Sequence, residues 1–258
     1  MDFIYDRLFL TKEKEQNISV FISGAEQTGS SWCSLSLAHA LNLSKKSILL
    51  VDGNGELANI ASYINLQPPF YIEDYLEGKK TLNQIVTAFK NKDLNILPAT
   101  SGNKYLNNLP LGRIQLFAQD LQILSENYDF TFVDLGTSVA VENLGLLQIA
   151  NEVIILCSES SSDLIKTLDL IKHINLLDIK INCKLIVNKV NSFEDGYKIY
   201  EKLNKASERN GLNFPELLGI IRHDTRIRDT IRNKDLLLTR YPTSEAAQDI
   251  SEIAKKMI

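Results

Sequence analysis

Seven short runs of nearly continuous Val, Ile and Leu punctuate the chain: Ile18–Ile22, Ser47–Val51, Leu94–Leu97, Phe130–Val133, Val153–Cys157, Cys183–Val187 and Leu217–Ile221. Each has the length of a strand. None shows the polar alternation of a sheet with one wet face, so they suit a parallel sheet covered on both sides. Between them lie stretches with apolar residues three and four apart. One holds Ile114, Phe117, Leu121 and Leu124. Another holds Leu164, Leu168, Ile171 and Ile174, and enters through Ser160 to Asp163, which offers N-caps. A third runs from about Asp195 to Arg209, and the last begins after Pro242 with Thr243 as its expected N-cap. Alternating strands and helices imply right-handed crossovers. The expected fold is α/β, with a doubly wound, mainly parallel sheet of about seven or eight strands and helices on both faces.

With 258 residues, 44% of them hydrophobic, one such domain over 17–258 is the natural reading. The first sixteen residues end in the charged run LTKEKEQ and read as a flexible arm. A net charge of -4 gives no pull toward nucleic acid or an anionic membrane. Cys33, Cys157 and Cys183 are far apart, with no metal or redox spacing. An odd cysteine count without a secretory leader points to the cytosol. The longest apolar runs are too short to span a membrane.

In a doubly wound sheet, ligands sit at the carboxyl ends of strands. After the first run comes Ser23-Gly-Ala-Glu-Gln-Thr-Gly-Ser-Ser31, then a helical pattern from Cys33. Strand, glycine loop and helix, with Gly24 and Gly29 five residues apart, fit a phosphate-binding loop. Such a loop needs glycines for backbone N–H groups to curl round phosphates, a lysine for the β/γ charge, and a hydroxyl for Mg²⁺. Ser31 offers the hydroxyl, but Ser30 stands where the lysine belongs. Losing one charge-assisted contact costs roughly 1.5–3 kcal/mol. Glu26 adds a negative charge to a loop meant for triphosphate. A plain strand-to-helix turn is the equal alternative. Asp52 and Asp134 each follow an apolar run, where an aspartate organises Mg²⁺ or its water beside a phosphate loop. Asp is also common at strand ends, so it is the pair beside a glycine loop that carries weight. His39, His173 and His223 lack ligand spacing and read as surface or capping residues. The run from Arg222 through Arg226, Arg228 and Arg232 to Lys234, interleaved with acids, reads as a solvated helix face. A docking surface for an acidic partner is the alternative.

These loops, in this order, resemble the MinD/ParA class of deviant Walker ATPases, and most nearly its FlhG (FleN, YlxH) branch. That family opens with SGKGGVGKT and continues with DADLGLAN; the chain has Ser23 to Ser31 and then Asp52-Gly-Asn-Gly-Glu-Leu-Ala-Asn59. Ile72 to Gly78 and Ile96 to Gly102 are similar to further branch motifs. So are Val187-Asn-Lys-Val-Asn-Ser192 and Tyr241-Pro-Thr-Ser244. The resemblance implies a P-loop NTPase-like fold, with Asn188 at the adenine and Ser31, Asp52 and Asp134 at Mg²⁺ if Mg-nucleotide still binds. It also exposes departures. The family's signature lysine, which crosses to the partner subunit's phosphates, falls at Ala25, and its main loop lysine falls at Ser30. The aspartate that positions water falls at Asn54. A proline near the base falls at Arg222. Walker B survives only as Asp134 and Gly136.

The vestigial nucleotide site is thus Gly24, Gly29, Ser30, Ser31, Asp52, Asp134 and Asn188, degenerate at Ala25, Glu26, Ser30 and Asn54. No catalytic residue and no cofactor are expected, beyond weak ATP or ADP with Mg²⁺. The resemblance implies protein partners: an FlhF-like GTPase, a switch-complex protein, the flagellar transcription activator, or an intact paralogous ATPase. The family's membrane-targeting C-terminal helix is replaced by a stretch, Ser251 to Ile258, that reads as core-packing, so no direct membrane anchor is expected. A weak nucleotide-gated switch is the rival reading. Nonspecific DNA binding is disfavoured by the acidic balance.

Overall fold

The computed structural model describes residues 17–54, 60–90, 93–102, 110–137, 144–177 and 181–258. The arm expected over 1–16 lies outside them, as do Gly55 to Asn59 of the second loop. In chain order the elements begin β1 (Ile18–Ser23), α1 (Ser30–Leu43), β2 (Ile48–Asp52), α2 (Ile60–Tyr63), α3 (Ile72–Leu76) and α4 (Leu82–Ile85). Then come β3 (Thr87–Ala88), β4 (Leu94–Leu97), α5 (Leu111–Ser125), β5 (Phe130–Asp134), α6 (Leu144–Gln148) and β6 (Glu152–Cys157). The chain continues with α7 (Ser161–Leu176), β7 (Asn182–Val190), α8 (Phe193–Arg209) and β8 (Glu216–Arg222). It ends with α9 (Arg226–Asn233), α10 (Leu237–Arg240) and α11 (Glu245–Met257).

All eight strands form one sheet in the order β3-β4-β2-β5-β1-β6-β7-β8. Every pairing is parallel except β3 with β4. The apolar runs are continuous because alternate residues serve two cores. In β1, Ile18, Val20 and Ile22 pack under α3 to α8, while Phe21 packs with α1 and α11 on the other face. In β6, Val153, Ile155 and Cys157 face the first layer, and Ile154 and Leu156 the second.

The sheet matches the expectation in strand count, direction and double covering. Some details differ. The two-residue β3 is too short to leave a periodic signal and adds the antiparallel edge. β7 runs on to Val190, beyond the apolar stretch, through Asn188 and Lys189. The last helix is capped by Ser244, not Thr243: the Ser244 hydroxyl accepts from the Ala247 N–H at 3.3 Å. Ser160 caps α7 as the sequence suggested, accepting from Asp163 N–H at 3.2 Å. His39 is not on the surface. It is buried in the middle of α1, where burial and the nearby Lys90 charge lower its pKa to about 4, against the opposing pull of Asp235. The C-terminal α11 packs against β8 and α1 through Ala246, Ala247, Ile250 and Ile253. Among the described residues, no helix is long and apolar enough to cross a membrane.

Candidate functional site

The carboxyl ends of β1, β2, β5 and β7 converge on the loop between β1 and α1. Ser23 closes β1 by donating its N–H to the Gly136 carbonyl at 2.8 Å, which stitches this loop to the one after β5. The glycines are there for space and conformation. A Cβ on Gly24 would lie 2.5 Å from the Lys166 carbonyl carbon, so the chain touches the backbone of α7. Gly29 has φ +100° and N-caps α1. The backbone therefore passes from β1 into α1 tight against α7 and turns left-handed at the helix start.

The Ser30 hydroxyl, at the start of α1, donates to Asp134 Oδ1 at 2.6 Å. Asp134 is fully buried at the end of β5, and burial raises its pKa. Hydrogen bonds from the Ser30 hydroxyl and, at 3.2 Å, the Gly136 N–H, both to Oδ1, pull it back down. Its Oδ2 is buried with no hydrogen-bond partner among the described residues. Asp52 sits beside Asp134 in register, and its Oδ2 accepts from Ile60 N–H at 3.0 Å, so it also serves as a start for α2. Asn54 packs on the loop after β5: a Cβ on Gly136 would fall 2.3 Å from its Nδ2. Tyr63 ends α2 and is partly buried. Its pKa is raised by burial and then by Asp134 and Asp52.

The opposite wall comes from β7. Asn188 is buried and donates from Nδ2 to the Thr28 carbonyl at 2.8 Å. Lys189 reaches the neighbouring Gln27 carbonyl with its ammonium. On the α7 side, the Thr28 hydroxyl bonds the Ala25 carbonyl at 2.7 Å and Asp163 Oδ2 at 3.2 Å. Arg222, at the end of β8, is no member of a solvated helix face. It holds Asp249 with two bonds and Glu245 with a third, and its guanidinium lies 4.6 Å from the Phe193 ring centroid.

Gly24, Gly29, Ser30, Ser31, Asp52, Asp134 and Asn188 are thus brought to one place, with Asn54 beside them. Ala25 and Glu26 lie on the same loop, Glu26 exposed. Sequence reading missed Lys189 and Asp163 as neighbours of the loop. Lys189 follows Asn188 directly, but its left-handed backbone, which aims the side chain back at the loop, leaves no trace in residue type. Among the described residues, no group of three His, Cys, Asp or Glu could hold a metal by itself.

No family model matches the chain. It is 24% identical over 238 residues to the antiactivator FleN of Pseudomonas aeruginosa, covering 91% of this chain and 83% of that one. It is 26% identical over 239 residues to an uncharacterized ATP-binding protein of Methanocaldococcus jannaschii, covering 92% and 85%. Its structure superposes on the septum site-determining protein MinD of Pyrococcus horikoshii, complexed with Mg-ADP, with a TM-score of 0.78 at 19% identity, covering 93% and 95%. Over nine-tenths of its length, the chain is FleN-like in sequence and MinD/ParA-like in fold.

Proposed function

We propose that this chain is a pseudo-ATPase of the FlhG/FleN kind, which regulates flagellar number, assembly or gene expression by binding a protein partner. The observation that carries the reading is the Ser30–Asp134 hydrogen bond. At the position meant for a phosphate-neutralising lysine, the chain has a short hydroxyl spent on the Walker B aspartate. Ala25 supplies no cation either, Asn54 cannot act as a carboxylate toward water, and exposed Glu26 repels a triphosphate. These residues do not fit Mg-ATP as a tightly held group, and no step of the protein's action runs through it. Arg222 strengthens the reading, since its guanidinium is already engaged with Asp249, Glu245 and Phe193 on the base side.

The partner candidates are the flagellar transcription activator, an FlhF-like GTPase, a switch-complex protein, or an intact paralogous ATPase. The antiactivator name of the Pseudomonas relative favours the first. The unpartnered Asp134 Oδ2 and the retained glycines favour a second reading, a switch with weak Mg-nucleotide binding and little hydrolysis.

A phosphate-release assay alongside a binding assay against each candidate tests the proposal. Expected are one partner bound equally with and without ATP-Mg²⁺, and no phosphate release above a protein-free control. Release that Asp134→Ala abolishes would overturn it.

A further inference from the structure

The loop after β1 is held in shape by side chains from β7. Gln27 has φ +60° and Lys189 has φ +62°, both in the left-handed region that side-chain-bearing residues rarely adopt. Such conformations persist where surrounding contacts demand them, and they cluster at functional sites. Here the contacts are specific. Asn188 Oδ1 accepts the Lys189 N–H at 2.9 Å, which fixes the bulge at Lys189 near the end of β7. Asn188 Nδ2 takes the Thr28 carbonyl, and the Lys189 ammonium takes the Gln27 carbonyl. A Cβ on Gly29 would lie 2.8 Å from Asn188 Nδ2 and 3.8 Å from Lys189 Cε, so the two side chains lie directly on the loop.

In a phosphate-type curl, the amides point inward to the anion and the carbonyls outward. An intact loop gains much of its order from the ligand and from its own lysine. This loop has no lysine, yet two successive carbonyls, of Gln27 and Thr28, are taken up by residues of β7. We propose that Asn188 and Lys189 form a built-in clamp, with Lys189 as a positioning residue, that fixes the Gln27–Gly29 crest without nucleotide. Glu26 and Gln27 are exposed on that crest. This rests on the reading that partner binding, not ATP, is the function.

Hydrogen exchange on the full chain tests the clamp through peptides spanning 22–32, with fluorescence of Trp32, the chain's one tryptophan. Lys189→Met is expected to speed amide exchange in the loop by about tenfold or more. Exchange in β1, β7 and α11 should be unchanged, and Lys189→Arg should keep most of the protection. Lys189→Gly relieves the left-handed backbone while deleting the ammonium. It is therefore expected to loosen the loop without lowering overall stability, so the test survives if the Met variant folds poorly. Equal loop exchange in the parent and both the Met and Gly variants overturns the clamp, and leaves the pseudo-ATPase reading untouched. Extra loop protection on adding ATP-Mg²⁺ to the parent would count against that reading, whatever the variants show.

Discussion

Arg222 and Asp249 join β8 to α11 through a two-pronged ion pair: Nε to Oδ2 at 3.1 Å and Nη2 to Oδ1 at 2.9 Å. The Arg222 N–H adds a third bond to Oδ2 at 2.9 Å. Asp249 is buried, so its charge is tolerated only because these donors meet it. Arg222→Ala would remove both side-chain donors and leave the buried carboxylate only the backbone N–H, and should cost about 1.5–3 kcal/mol. Replacing both partners with apolar residues of similar volume, Arg222→Met with Asp249→Leu, should recover most of that loss. Urea unfolding of the three proteins checks it.

Ser30→Ala should cost about 1–3 kcal/mol, because it removes a donor from a fully buried carboxylate. The pH dependence has a definite sign. Asp134 has a raised pKa in the folded protein, so the native state holds more protons than the unfolded one above pH 3.8. Its contribution to stability therefore falls as pH rises from there through the raised value. Losing the Ser30 bond raises that value further. The penalty of Ser30→Ala should thus be larger at pH 7 than near pH 4, and unfolding at the two pH values measures the difference.

His39 carries the opposite slope. Its pKa falls from 6.5 to about 4 on folding, mainly through burial. Above pH 6.5 both states are neutral there and nothing is lost. As pH drops from 6.5 toward 4 the unfolded chain protonates first, and stability falls by up to about 3 kcal/mol. His39→Gln should flatten that part of the stability profile relative to the parent.

Nucleotide should not change the oligomeric state. By the resemblance to MinD/ParA proteins, Ala25 stands where a lysine would cross between subunits, and exposed Glu26 would meet its own copy across a two-fold axis with repulsion. Light scattering should give the same mass with and without ATP-Mg²⁺. A monomer-to-dimer shift seen only with ATP would show a working loop.

The sheet was legible because strands buried on both faces write themselves as unbroken apolar runs, as Ile48–Asp52 and Glu152–Cys157 do. What the sequence hid falls into two kinds. The two-residue β3 and the four-residue α2 and α4 span about one period each, too little for a repeating pattern to announce them. The other kind depends on distant residues meeting. Ser30 could be read as a missing lysine, but not as the partner of Asp134, 104 positions away. Lys189 and Gln27 are 162 apart, and only the fold puts one over the other. His39 looked like a surface residue because a lone histidine in a helix carries no mark of its burial. Arg222 was grouped with the arginines of α9 because the sequence does not show that β8 ends between them.

The most direct test of the central claim is titration calorimetry of the parent chain with ATP-Mg²⁺. The expected result is no saturable binding tighter than about 1 mM. A dissociation constant in the low micromolar range would contradict the account, because it would mean that the loop holds triphosphate without Ala25 or Ser30 being lysine.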